Sequence, residues 1–364
     1  MFRAPRYLEW ARRHYGKVPF DLASSGLAPA TLADLGEPPR LDDPEGPARL
    51  RRAIAAFNGV TEAETVAALG TTHALWLAYT SVLRPGDDVL VESPGYEPVW
   101  SLAEGAGARV VRVARKLEDR FAIDVDAIGA AITPTTRIVA ITNPHNPSGV
   151  RVDEDTVRRL ASVVAAKGAY LLVDEVYGPL GQMEPGSRVW ERSARRLSGS
   201  VITVSSLTKS FGLGDARVGW VLAPEEVIAS AEAVLLATCG ALPTQHVSFG
   251  AWALSRIDVL STRAASLTAG KRETVESWMA GRRDLVWSGP TDGLFGLAVR
   301  SSPEDLLPRI EAGAARDGVL VAAGAFFGVP NGFRLSWTID RGKLEGALER
   351  LGRVLDGDSP PKVD

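Results

Sequence analysis

Between about residues 60 and 225 the chain alternates short runs rich in Val and Ile with longer stretches in which apolar positions recur every three or four residues. The first pattern predicts buried strands and the second amphipathic helices. Their alternation predicts a layered α/β unit whose sheet is covered on both faces. The predicted strands are 89–91, 109–113, 138–142, 170–173, 201–205 and 218–222. The clearest helix runs from Asp153 to Lys167: acidic residues crowd its first turn, Val157, Leu160, Ala161 and Val164 share one face, and Gly168 supplies the stop. After Thr238 the texture becomes Ala-rich and helical to about Ala280, followed by strand-like pieces at 293–300, 319–321 and 333–337. That change divides the chain into a large domain at 46–240 and a smaller α+β domain at 241–364, with residues 1–45 expected to pack on the smaller one. The tail 356–364, which holds Pro360-Pro361 and no apolar face, is expected to fray.

Composition narrows the class. With 364 residues, 45% hydrophobic and 23% charged, the chain is neither disordered nor fibrous. A single core stops growing near ~250–300 residues, in keeping with two domains. Lys plus Arg number 41 and Asp plus Glu 44, a net charge of −3, so nothing points to nucleic acid or an anionic membrane surface. Cys239 is the only cysteine, which excludes an intramolecular disulfide and a Cys-rich metal site. No apolar run reaches the ~18 residues of a membrane span, and Met1 to Arg6 is not followed by an apolar signal core. The expectation is a soluble, cytoplasmic protein with a small-molecule partner.

Ligands of α/β sheets bind beyond the carboxyl ends of the strands, and five strand or segment ends here carry unusual chemistry. Ile138–Thr142 runs into Asn143-Pro144-His145-Asn146-Pro147-Ser148-Gly149, a constrained turn that presents amides. Asp174 follows Val173, with the phenol of Tyr177 three residues on. Ser206, Thr208, Lys209 and Arg217 follow the strand ending at Ser205 and combine hydroxyls with cations, as an anion pocket requires. Gly70-Thr71-Thr72 precedes a helical pattern and would suit a phosphate at a helix N-terminus. Tyr96 lies just beyond the end of another strand. Each alone has a plain structural meaning as a turn, a cap or a packing residue. Their order and spacing together carry the weight.

Together these motifs, with Arg217-Val218-Gly219-Trp220 and Phe333-Arg334-Leu335-Ser336, resemble the class I/II aminotransferases of the fold-type I pyridoxal-phosphate enzymes, from about Pro44 to Asp340. The resemblance implies a large domain with a mixed, mostly parallel seven-stranded sheet, a smaller α+β domain and a homodimer. It implies pyridoxal 5′-phosphate carried on Lys209 as a Schiff base, with Lys209 then moving the α-proton. Asp174 would pair with the ring nitrogen, Asn146 and Tyr177 would donate to the ring oxygen, and Tyr96 would stack on the ring. Gly70, Thr71, Thr72, Ser206 and Arg217 would hold the phosphate. Arg334, Asn146 and Gly26 would bind the substrate, Arg334 as a fork on its α-carboxylate. The implied reaction moves an amino group from an α-amino acid to a 2-oxo acid.

Two departures are visible. Family members carry a tyrosine about five residues before the glycine at Gly46 that reaches the neighbouring subunit's cofactor phosphate; Leu41 stands near that place. The N-terminal Tyr7-Leu8-Glu9-Trp10 to Ser24-Ser25-Gly26 segment resembles a branch that includes capreomycidine-synthase-like enzymes, and the stretch between Gly26 and Gly46 is short. The alternative is therefore a β/γ-lyase, cyclase or decarboxylating oxidase on the same cofactor, with His73 and His145 flanking the site. Ser206-x-x-Lys209 also fits a Ser-Lys hydrolase, but the Ser-Asp-Asn and Lys-Thr-Gly motifs of that class are absent. No Gly-x-Gly-x-x-Gly follows a strand, which removes a nicotinamide enzyme. A ligand-sensing non-enzyme of this fold is the remaining possibility.

Overall fold

The structure, a computed structural model, describes residues 3–40 and 43–357. Leu41 and the end of the tail therefore lie outside the described residues. Thirteen strands occur among them. They are β1 (Phe20–Asp21), β2 (Thr65–Leu69), β3 (Asp88–Ser93), β4 (Arg109–Ala114), β5 (Thr136–Thr142), β6 (Tyr170–Asp174), β7 (Val201–Ser206), β8 (Val218–Leu222), β9 (Leu285–Trp287), β10 (Phe295–Arg300), β11 (Val319–Leu320), β12 (Ala322–Ala323) and β13 (Gly332–Ser336).

The central sheet has seven strands in the order β2-β8-β7-β6-β5-β3-β4. All neighbours from β7 to β4 pair parallel, while β8 runs antiparallel to both β2 and β7. All six predicted strands are present. Within this sheet the sequence pattern missed β2, whose Thr-Val-Ala-Ala-Leu has little of the β-branched character that marked the others. Helices cover both faces because the strands are apolar on both, leaving one core under helix Gly70–Val82 and another under helix Glu154–Ala166.

Helix Glu154–Ala166 forms as its pattern predicts. The Asp153 side chain accepts from the Thr156 backbone N–H, Glu154 and Asp155 occupy the positive end, and Gly168 leaves at φ +73°. Its face of Val157, Leu160, Ala161 and Val164 is buried against β5 and β6 residues. Leu160 is fully buried, so truncating it to Ala would cost about 2–5 kcal/mol.

The second sheet is antiparallel, ordered β12-β13-β10-β9, and β1 pairs parallel with β11. Tyr7 and Trp10 of helix Arg6–His14 and Leu22 of the following segment enter its core beside Phe327, Phe333, Leu335 and Leu344. Residues just beyond 240 were assigned by sequence to the smaller unit, but their packing differs. Val247, Ala251 and Leu254 of helix Thr244–Ser255 join Leu50, Ile54 and Trp220 in a core on the large sheet, since that helix lies along helix Gly46–Asn58.

Candidate active site

The carboxyl ends of β3, β5, β6 and β7, and the turn from β2 into helix Gly70–Val82, converge on a cavity of about 260 Å³. Thr71, Thr72, Tyr96, Asn146, Asp174, Tyr177, Lys209 and Arg217 all line it. These residues are brought together by parallel strands that end side by side, so segments more than a hundred residues apart reach one crevice.

At one end the turn after β2 and the segment after β7 interlock. Gly70 has φ +79°, and Arg217, at φ +55°, bonds through Nη2 to the Leu69 carbonyl at 3.2 Å. Thr71 Oγ1 donates to Ser206 Oγ at 2.8 Å. Ser206 Oγ thus accepts from Thr71, and from the Thr208 N–H at 3.3 Å. A helix N-terminus, the hydroxyls of Thr71 and Ser206 and the Arg217 guanidinium meet here.

Deeper in the crevice Asp174 is buried, and its Oδ1 accepts from the Val176 N–H at 3.0 Å. Burial first, then the Glu92 charge, pushes its carboxyl up to about 7, against the pull of that N–H and of Lys209. Lys209 is brought down to about 8, chiefly by burial and then by the Arg334 and Arg217 charges, with Asp174 opposing. Its ammonium therefore loses its proton near pH 8, below the range of an ordinary lysine. Gly26 lies against this lysine: a Cβ there would stand 3.3 Å from Lys209 Cδ. The Tyr177 hydroxyl donates to Ser25 Oγ at 2.9 Å.

Arg334 of β13 is fully buried and does not line the cavity. Its Nη1 donates to Asn146 Oδ1 at 2.8 Å, and its Nη2 donates to the Tyr7 hydroxyl at 2.6 Å and the Ala23 carbonyl at 2.9 Å. Phe295 and Phe327 lie 4.8 and 5.1 Å from the guanidinium carbon. Burial opposes the charge, yet the phenols of Tyr7, Tyr15 and Tyr177 hold its pKa above the ordinary value.

Neither flanking histidine faces the cavity. His145 is buried; its Nε2 donates to the Pro94 carbonyl at 2.9 Å, so its Nδ1 accepts from Ser148 Oγ at 2.6 Å. Burial, and then the Arg115 charge, keeps it neutral far below its usual range. His73 Nδ1 accepts from the Leu69 N–H at 3.0 Å, and burial lowers its pKa as well.

Sequence reasoning missed the N-terminal wall. Tyr7, Leu8, Ala11 and Tyr15 line the cavity together with Ser25. The helical spacing of 7, 8, 11 and 15 was the available signal, but nothing local says which surface that face covers.

The donor set fits pyridoxal phosphate. The Gly70 turn with Arg217 makes an anion cradle too tight for a Cβ, a buried carboxylate lies in the same cavity, and a buried amine of depressed pKa stands with them. Fold and site define a pyridoxal-phosphate-dependent enzyme of fold type I.

The profile of the aminotransferase class I and II family matches residues 32–351, and the chain belongs to that family. Capreomycidine synthase from Streptomyces vinaceus is 29% identical over 363 residues, covering 95% of this chain and 92% of that protein. A probable aspartate/prephenate aminotransferase from Thermus aquaticus is 30% identical over 337 residues, covering 86% and 82%. The crystal structure of the PLP-dependent cyclase OrfR superposes with a TM-score of 0.84 at 25% identity, over 98% of each chain.

Proposed function

We propose that the protein transfers an amino group from an α-amino acid to a 2-oxo acid through pyridoxal phosphate held on Lys209. The observation that carries this is the buried Lys209 amine, neutral above about pH 8, in one cavity with Asp174 and the Gly70–Arg217 cradle. Bound pyridoxal phosphate supplies the electrophilic carbonyl and the ring that accepts electrons from the α-carbon.

The chain supplies the rest. Lys209 Nζ, once released, takes the proton from the α-carbon and returns it. The Asp174 carboxylate would hold a proton on the ring nitrogen. Asn146 and Tyr177 would donate to the ring oxygen, and Tyr96 would stack on the ring. Thr71, Thr72, Ser206, Arg217 and the N–H groups following Gly70 bind the phosphate. Arg334 takes the α-carboxylate as a fork, with Asn146 and Gly26 beside it.

The part of the lining not committed to the cofactor, Tyr7, Leu8, Ala11, Tyr15 and Ser25, carries no charge. A second carboxylate there would be buried without a partner, at a cost of several kcal/mol. The favoured donor thus has a neutral side chain, with large ones reacting at least as well as alanine. Steady-state rates with alanine, leucine, phenylalanine, aspartate and glutamate test this. Leucine or phenylalanine should exceed aspartate at least roughly tenfold in kcat/KM; aspartate or glutamate as best donor would overturn it.

A homodimer in the cytoplasm belongs to the same proposal. Leu236, 69% exposed on helix Glu225–Cys239, supports a partner surface, and no helix among the described residues is long and apolar enough to cross a membrane. A second reading, a cyclase or lyase on the same cofactor, is favoured by the likeness to capreomycidine synthase and to OrfR. It predicts a product formed without any oxo acid being aminated.

A further inference from the structure

The guanidinium of Arg334 is spoken for in an uneven way. Nη2 donates to the Tyr7 hydroxyl at 2.6 Å and the Ala23 carbonyl at 2.9 Å, with the Tyr15 hydroxyl a longer third acceptor at 3.5 Å. One hydrogen of Nη1 goes to Asn146. Nε is buried and has no partner at all. An unpaired buried N–H is costly, so this donor calls for an acceptor that is absent from the protein itself.

An arginine offers a carboxylate two bidentate forks, Nη1 with Nη2 and Nε with Nη2, because Nη1 sits on the Cδ side of the group. Both forks need Nη2. A carboxylate can bind as a fork only by displacing one of the two short-range acceptors now on it, the Tyr7 hydroxyl or the Ala23 carbonyl. The Ala23 carbonyl is backbone, next to Leu22, whose N–H bonds Leu320 O at 2.8 Å and whose carbonyl accepts from Ser336 N at 2.9 Å. That segment is pinned on both sides. The Tyr7 hydroxyl is a side-chain group, and Tyr7 lines the cavity while Arg334 does not.

We propose that Tyr7 is the specificity gate of the carboxylate site: its phenol oxygen occupies on Arg334 Nη2 the place of a substrate carboxylate oxygen, and binding exchanges the one for the other. The proposal rests on Arg334 being the carboxylate clamp. Tyr15 completes the device. Its hydroxyl donates to the Ala23 carbonyl at 2.8 Å, so its oxygen accepts from the Tyr7 hydroxyl, and the phenol hydrogen has a partner while the gate is shut. The exchange selects its ligand. A carboxylate brings two charged acceptors, enough to replace a neutral phenol and to satisfy Nε as well; an amine or amide lacking that charge cannot compete.

The test is calorimetric titration of the pyridoxal-phosphate-loaded enzyme with propionate, and with propionamide as the uncharged control. Tyr7→Phe removes the competing oxygen and keeps the ring, so propionate should bind roughly tenfold more tightly than to wild type, with propionamide unchanged. Tyr7→Leu should tighten binding in the same direction, which guards against one variant packing badly. Hydrogen exchange across residues 6–14 of the wild type should quicken when propionate is added. Equal or weaker propionate binding in both variants overturns the gate. Arg334→Gln separates the two layers: if it keeps wild-type propionate affinity, the clamp itself fails, and the gate with it.

Discussion

Gly70 and Arg217 fit each other so closely that a Cβ on Gly70 would stand 2.4 Å from Arg217 Nη2. The glycine also has φ +79°, a conformation that costs an L-residue about 1 kcal/mol. Gly70→Ala should therefore push Arg217 off the cradle and weaken pyridoxal phosphate binding by roughly tenfold or more. Fluorescence titration of the cofactor measures it. An unchanged dissociation constant in a folded variant would show that the cradle is not the phosphate seat.

The cofactor-free protein should carry a pH signature of Asp174. Its carboxyl holds a proton to about pH 7 when folded, against an ordinary value of 3.8, because burial outweighs its N–H bond. Between those values the folded state binds the extra proton, so the group costs stability as pH rises from about 4 to 7. Lys209, with a folded value of about 8 against 10.5, acts above that window and with the opposite sign, adding stability as pH rises. Asp174→Asn does not titrate. Relative to wild type, its cofactor-free form should gain roughly 1–3 kcal/mol between pH 5 and pH 7 in urea unfolding. A difference independent of pH would contradict this.

Behind the site Glu92 and Arg115 form a buried pair at 2.8 Å, and Glu92 Oε1 accepts from the Thr142 N–H at 2.6 Å. Burial pushes the glutamate up and the arginine down, each against the pull of its partner. Removing one partner is then worse than never having had the pair. Arg115→Ala should cost about 3–5 kcal/mol of stability, because it strands the buried Glu92 carboxylate of β3. A loss under about 1 kcal/mol in denaturant unfolding would show that the pair is not needed for the fold.

How much of this was legible in the sequence follows physical lines. The strands rich in Val and Ile, and the helix capped by Asp153, announced themselves because their signals are local. Lys209, Asp174 and Asn146 were legible because each lies at or just beyond the end of a strand, where parallel sheets gather their ligands. Strand β2 was not, because its alanines suit a helix equally well, and β9 is only three residues long. Tyr7, Tyr15 and Ser25 were missed for a different reason. The Tyr7–Arg334 bond spans 327 residues and the Tyr177–Ser25 bond 152, and no periodicity encodes a contact at that distance. Arg334 itself was picked out, but its screening from the cavity by Tyr7 emerges only when β13 and helix Arg6–His14 share a core.

The most direct measurement is the visible absorption spectrum of the purified protein with pyridoxal phosphate, for wild type and Lys209→Ala, before and after a neutral α-amino acid and then a 2-oxo acid. Wild type should show a bound-cofactor band that converts to the aminated cofactor with the amino acid and returns with the oxo acid, while Lys209→Ala shows no such cycle. Ammonia release or a cyclised product without an aminated cofactor would move the protein to the lyase or cyclase reading. A wild type with no cofactor band would contradict the account at Lys209.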